Sequence, residues 1–156
     1  MIQLDYKGTY SFNVTTEDVR IDTSVPSSQI KHLFKFTNDM SGDVKYAYGA
    51  TETIYDRYTR ISMTAATGAA QNVFEGKIDF IPNGYWKYSV WEVSYNGTAV
   101  VNATQAPATE STPATDQEGV FGTVKGCVEI GKLFVTEKAG QEQVQYTERV
   151  EPSGTN

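Results

Sequence analysis

The sequence predicts an all-β fold: a single-domain β-sandwich, immunoglobulin-like or jelly-roll-like, of about eight antiparallel strands. Two observations carry the prediction. Apolar and polar residues alternate with period two from end to end, as in strands with one buried face, while no stretch keeps the 3.6-residue apolar period of a helix. Clusters of Gly, Pro, Asn and Asp interrupt the alternation roughly every ten residues, the spacing of short strands joined by turns. At 156 residues the chain is large enough to bury roughly two-thirds of the surface its unfolded form exposes, so it folds without covalent staples.

Taken in order, Ile2, Leu4 and Tyr6 alternate ahead of Lys7-Gly8, and Tyr10, Phe12 and Val14 alternate after it. Two short strands, or one long bent strand, fit that pattern. His32, Phe34 and Phe36 share one face; Val44, Tyr46 and Tyr48 share another, across the turn Asn38-Asp39-Met40-Ser41-Gly42. Asn and Asp cap local backbone groups in such a turn and Gly accepts positive φ, so residues 30–48 read as an antiparallel hairpin. Thr59, Ile61 and Met63 mark a further strand, and Gly76, Ile78 and Phe80 the next, closed by Pro82-Asn83-Gly84. Tyr85 to Ser94 is the densest run of aromatic and β-branched residues, and Asn96-Gly97 after it predicts a tight hairpin returning through Ala99, Val100 and Val101. Cys127 to Thr136 forms a late strand in which Gly131 predicts a bulge or a close backbone contact, and Val144 to Thr147 a last one.

Residues 102–119 are Thr-, Ala- and Pro-rich and lack the apolar content that offsets ordering entropy, so they predict an exposed, flexible loop within a domain spanning 1–150. Residues 151–156 predict a tail.

The composition argues against most chemistry. Zinc needs several converging soft or imidazole ligands, and the chain has one His and one Cys, far apart in sequence. Asp39 and Asp43 flank a turn but lack the further Asp or Asn and the distal Glu of a calcium loop. A Ser or Cys nucleophile needs a base titrating near neutrality, and only His32 qualifies; its parity with Phe34 and Phe36 makes it a packed or edge residue. Asp22-Thr23-Ser24 lacks the Gly that follows the Asp-Thr pair of aspartic proteases. The expectation is therefore no enzyme activity, no catalytic or metal-ligating residues and no cofactor.

The formal charge of −6, with thirteen Lys and Arg residues scattered along the chain, argues against nucleic acid as a partner. No run reaches the roughly 18 apolar residues of a membrane helix, so no membrane association is expected. Met1-Ile2-Gln3-Leu4-Asp5 meets a charge before a signal peptide can form, and Cys127 has no partner, which together predict synthesis in a reducing cytoplasm. The Asn-X-Thr triplets at Asn13, Asn96 and Asn102 are then chance matches.

On the Tyr85–Ser94 strand, Trp86, Tyr88, Val90 and Glu92 share the core face, where Glu92 needs a buried partner such as Arg57 or Arg60. Trp91 and Val93 fall on the opposite face. They point outward as contact residues unless a bulge shifts the register or a second layer covers them.

Four segments carry a resemblance: Leu33-Phe34-Lys35-Phe36-Thr37-Asn38-Asp39, Tyr55-Asp56-Arg57-Tyr58, Gly84-Tyr85-Trp86-Lys87-Tyr88-Ser89-Val90-Trp91-Glu92 and Val128-Glu129-Ile130-Gly131-Lys132-Leu133-Phe134-Val135. In this order they resemble small β-rich virion accessory proteins of tailed bacteriophages, over about residues 30–135; the 102–119 insertion departs from that pattern. The resemblance implies a non-enzymatic virion component, a capsid decoration or auxiliary (cement) protein present in many copies, with the major capsid protein or other virion proteins as partners. Its alternative is a carbohydrate-binding or host-attachment module of a head fibre or tail adaptor, with a glycan as partner. The expected contact residues are Ile2, Leu4 and Tyr6, then Trp91 and Val93, then Thr109, Thr112 and Thr115 in the long loop.

Overall fold

The computed structural model describes residues 2–4, 9–15, 20–55, 57–66, 71–80, 84–111 and 119–136. Among them are nine strands: β1 (Ile2–Leu4), β2 (Thr9–Val14), β3 (Ile30–Asn38), β4 (Val44–Tyr48), β5 (Thr51–Ile54), β6 (Thr59–Ala65), β7 (Lys77–Ile78), β8 (Gly84–Tyr95) and β9 (Gly122–Val135). They form an all-β sandwich. One sheet has the order β1-β9-β8-β3-β4, and the other β2-β6-β5 with β7 beside β6. Pairing is antiparallel except at β1–β9 and β6–β7.

Alternation builds the core between the sheets. Tyr10, Phe12 and Val14 of β2 are buried while Thr9, Ser11 and Asn13 are exposed. Their inward rings meet Phe34 and Phe36 of β3 and Trp86, Tyr88 and Val90 of β8. Phe12 and Phe34 lie 5.8 Å apart between centroids, and Phe80 sets its ring edge-on to Phe36 at 4.9 Å and Trp86 at 5.5 Å. Such pairs add about 0.5–1.5 kcal/mol each beyond the area they bury.

The β3–β4 hairpin turns as its residues dictate: Asn38 Oδ1 accepts from the Met40 and Ser41 amides, both at 2.8 Å, and Gly42 takes φ 78°. Gly131 is a close-contact position. A Cβ there would fall 2.6 Å from Tyr88 Oη, and the cross-strand partner of Gly131 is Tyr88 itself.

Four expectations need correction. Ala99–Val101 form no returning strand, and β9 is the next strand among the described residues; the Asn96 side chain holds the chain leading into it, donating to Gly119 O and accepting from Phe121 N. The strand expected at Gly76–Phe80 is only Lys77–Ile78. Of the two readings of Gly131 the close contact holds, while the bulges in the β8–β9 ladder fall between Val90 and Trp91 and between Glu92 and Val93.

Glu92 is fully buried, but its partners are the Ile21 and Asp22 amides and no arginine. Arg57 and Arg60 are exposed, and Arg60 bonds its cross-strand neighbour Asn13 within the other sheet, away from Glu92. Residues 102–111 do not stand clear of the sandwich as an exposed loop, since Ala106 and Pro107 are buried and the segment is tied to the sheet. The strand expected at 144–147, the tail at 151–156 and residues 112–118 of the loop lie outside the described residues.

Candidate surface on the five-stranded sheet

The outer face of the five-stranded sheet is divided into a covered half and an open half. The covered half begins past Trp91, where Val93 and Tyr95 continue on the outer face of β8 and join a second apolar cluster with Leu33, Tyr48 and Ala106. Its lid is the segment after β8, which has few apolar residues and is held largely by hydrogen bonds. Asn102 Oδ1 accepts from the Thr104 and Gln105 amides, and Gln105 links forward by donating to Val120 O while its own carbonyl accepts from Gly122 N. Tyr48 Oη donates to Pro107 O at 2.5 Å.

At the lid's edge, Glu110 accepts from Tyr46 Oη at 2.5 Å and pairs with Lys35 Nζ. Desolvation pushes the Glu110 carboxyl up, and the bonds from Lys35 and Tyr46 outweigh it, so the group titrates below its usual range. Burial first and Glu110 second push the Tyr46 phenol up to about 12.

The open half is a groove of about 560 Å³. Its outward residues follow from the ladder registers. Thr37, Lys87 and Lys132 form one row across β3, β8 and β9, and Lys35, Ser89 and Ile130 form the next. Trp91 closes the groove against the lid; it is half-buried, and its Nε1 donates to Ser89 Oγ at 2.9 Å. Ile130 is 77 % exposed. Beside the groove, Tyr85 is exposed and meets Phe134 edge-on at 4.8 Å.

Of the expected contact residues, Trp91 alone lines this groove. Val93 is fully buried because the lid covers its half of the outer face, and Leu4 belongs to the inter-sheet core, so neither is a surface group. Ile2 pairs with Leu133 along the backbone. Thr109 is half-buried in the lid. Tyr6, Thr112 and Thr115 lie outside the described residues. Lys87, Ile130 and Lys132 were not anticipated. Their polarity alternation was readable, but their meeting depends on a pairing between strands distant in sequence.

Elsewhere, His32 is buried, with Nδ1 2.9 Å from Glu52 Oε1 and its amide bonded to Glu52 Oε2. Both described hydrogen-bond partners of His32 are therefore on one carboxylate. The Asp39–Asp43 turn is closed by the Asn38 side chain, with Asp39 Oδ2 3.7 Å from Lys132 Nζ. Among the described residues no three His, Cys, Asp or Glu side chains converge as a metal site, and no helix is long and apolar enough to cross a membrane. Cys127 is a free, exposed thiol.

Asp22 is the centre of a small polar cleft of about 260 Å³ that includes Ser94 and Lys125. Hydrogen bonds from Ser24 Oγ, Ser94 Oγ and the Ser24 amide, with Lys125 nearby, bring its carboxyl down to about 2.

No protein-family model, curated protein or solved structure matches the chain.

Proposed function

We propose that the chain is a non-enzymatic structural component of a tailed-phage virion, a capsid decoration or auxiliary (cement) protein, that engages its neighbours through the open half of the five-stranded sheet. The observation that carries this reading is the groove itself: a 77 % exposed Ile130 beside Trp91 on a sheet face whose other half is lidded. Exposed large apolar groups on an otherwise polar surface mark contact sites.

The phage resemblance supports the setting. Three of its four segments, Leu33–Asp39, Gly84–Glu92 and Val128–Val135, fall on β3, β8 and β9, adjacent strands of one sheet. Their outward side chains line the groove. Each contact is weak, and repetition over many copies on one shell makes the attachment durable. A glycan-stacking surface calls instead for exposed aromatics lying in one plane. Here Tyr55 and Tyr58 stack on each other at 4.9 Å, and Tyr85 and Phe134 meet at 62°.

The test is co-sedimentation of the purified protein with phage particles lacking it. Saturable binding is expected, lost on Ile130→Asp, a substitution at an exposed site that leaves the fold intact. A protein that never sediments with particles, or an Ile130→Asp variant that binds as well as the parent, overturns the reading.

A further inference from the structure

Resting on that reading of the groove, we infer that its occupant is an extended, acidic segment of the partner protein, with a carboxylate over Lys87 and Lys132 and an apolar side chain over Ile130 and Trp91. The chain as a whole is acidic, with nineteen Asp and Glu against thirteen Lys and Arg. The groove is its opposite: Lys35, Lys87 and Lys132 all line it, and among the described residues no carboxylate does.

Two of these lysines are already matched from outside the groove. Lys35 holds Glu110 of the lid, and Lys132 has Asp39 at 3.7 Å. Lys87 has no ion-pair partner among the described residues, and its direct cross-strand neighbour is Lys132. Like charges directly opposite on one sheet face destabilise the pair, so this arrangement costs the free protein stability. A carboxylate placed between the two ammonium groups relieves the repulsion and makes charge-assisted bonds to both. Glu110 shows the same chemistry in miniature, a carboxylate seated on a lysine and a phenol of this face.

The apolar part sets the shape of the ligand. Along β8, Lys87, Ser89 and Trp91 are successive outward positions, each about 6.6–6.8 Å from the next in a regular strand. Ile130 lies opposite Ser89. A segment running along β8 in extended form therefore presents its acidic residue at one position and its apolar residue two to four positions further on. A polyphosphate backbone would satisfy the lysines but leave Ile130 uncovered, and it would approach a protein of net charge −6.

The probe is a short synthetic Glu–Val peptide of repeat Glu-Ser-Val-Ser, which puts Glu and Val two positions apart on one face of an extended chain, read by the fluorescence of Trp91; the other tryptophan, Trp86, is fully buried. Its Lys–Val counterpart and a single-stranded oligonucleotide serve as controls. Saturable binding of the Glu–Val peptide is expected, weakened about fivefold by Lys87→Gln and more strongly by Lys87→Glu. Binding should also fall between about 0.1 M and about 1 M NaCl, as the Debye length shrinks from about 10 Å to about 3 Å. Equal binding of the Lys–Val peptide or the oligonucleotide, or no effect of Lys87→Glu, overturns the inference.

The same variants in the particle assay separate the two claims. If Ile130→Asp abolishes co-sedimentation and Lys87→Glu leaves it unchanged, the acidic occupant is wrong and the docking face stands. If neither variant alters it, the docking face is wrong as well.

Discussion

Replacing Glu92 by Gln tests how the irregular segment before β3 is anchored. The carboxylate is fully buried and accepts from the Ile21 amide at 3.0 Å and 3.1 Å and from the Asp22 amide at 2.7 Å. Glutamine keeps the shape but has one acceptor oxygen. Turned toward Asp22, it leaves its NH₂ group facing the Ile21 N–H, donor against donor. The Ile21 bond to Oε1, a bond to a charged acceptor of about 1.5–3 kcal/mol net, is lost, and the two to the remaining oxygen drop to the strength of neutral bonds. Burying an amide in place of a carboxylate returns part of that through a smaller desolvation cost.

The balance is a destabilisation of about 2 kcal/mol, or a fall in Tm of about 4–8 °C for a chain of this size. Urea unfolding measures the total. Amide hydrogen exchange then locates it: Ile21 and Asp22 should lose protection while the β3 and β8 amides keep theirs. A variant as stable as the parent, with both amides still protected, would refute the idea that the carboxylate holds this segment.

Two further outcomes follow from the geometry. Gly131→Ala places a methyl group 2.6 Å from Tyr88 Oη and 2.7 Å from the ring, so the ring must shift; a loss of about 1–3 kcal/mol in denaturant unfolding is expected, and an unchanged midpoint contradicts the close contact. Asp22 titrates at about 2 in the folded protein against 3.8 ordinarily, so its contribution to stability is complete above about pH 4 and disappears as the pH falls toward 2. Ser94→Ala should raise the Asp22 value in a carbon-detected NMR titration, and an unmoved value would remove Ser94 from the set of bonds that lowers it.

The fold was legible wherever a local rhythm decided it. Tyr10, Phe12 and Val14, the 30–48 hairpin and the Trp86, Tyr88, Val90 face are all set by strict alternation or by turn chemistry within a few residues. Past Trp91 exposure stops following the rhythm, because Val93 and Tyr95 keep their outward parity but are covered by the lid, a long-range packing that no local pattern encodes.

The Asn96-Gly97 pair has the residues of a hairpin turn, yet Asn96 bonds to Gly119 and Phe121 and Ala99–Val101 form no returning strand. The lid was misread for a related reason. Its composition is poor in apolar residues, and it is held by Tyr48, Gln105 and Glu110, whose partners are distant along the chain. On the candidate site, Trp91 was visible as a large residue out of phase with the core. The facing of Lys87 and Lys132 was not, since it exists only once β8 and β9 are in register.

The parallel edge pairing of β1 with β9 constrains the order in which the molecule is assembled. As the ribosome synthesises the chain, Ile2–Leu4 emerges first among these strands, and its partner Leu133–Val135 emerges last. The β3–β4 hairpin can form early from neighbouring residues, but Leu4 cannot take its place beside Leu133 and Val135 until β9 has been laid against β8. Closure of this edge, sealed by Thr136 N donating to Leu4 O at 2.9 Å, is therefore a late, non-local and comparatively slow event. Nascent chains halted short of Gly122, where β9 begins, would carry β8 with one flank unpaired, the kind of open sheet edge that proteases and aggregation reach first.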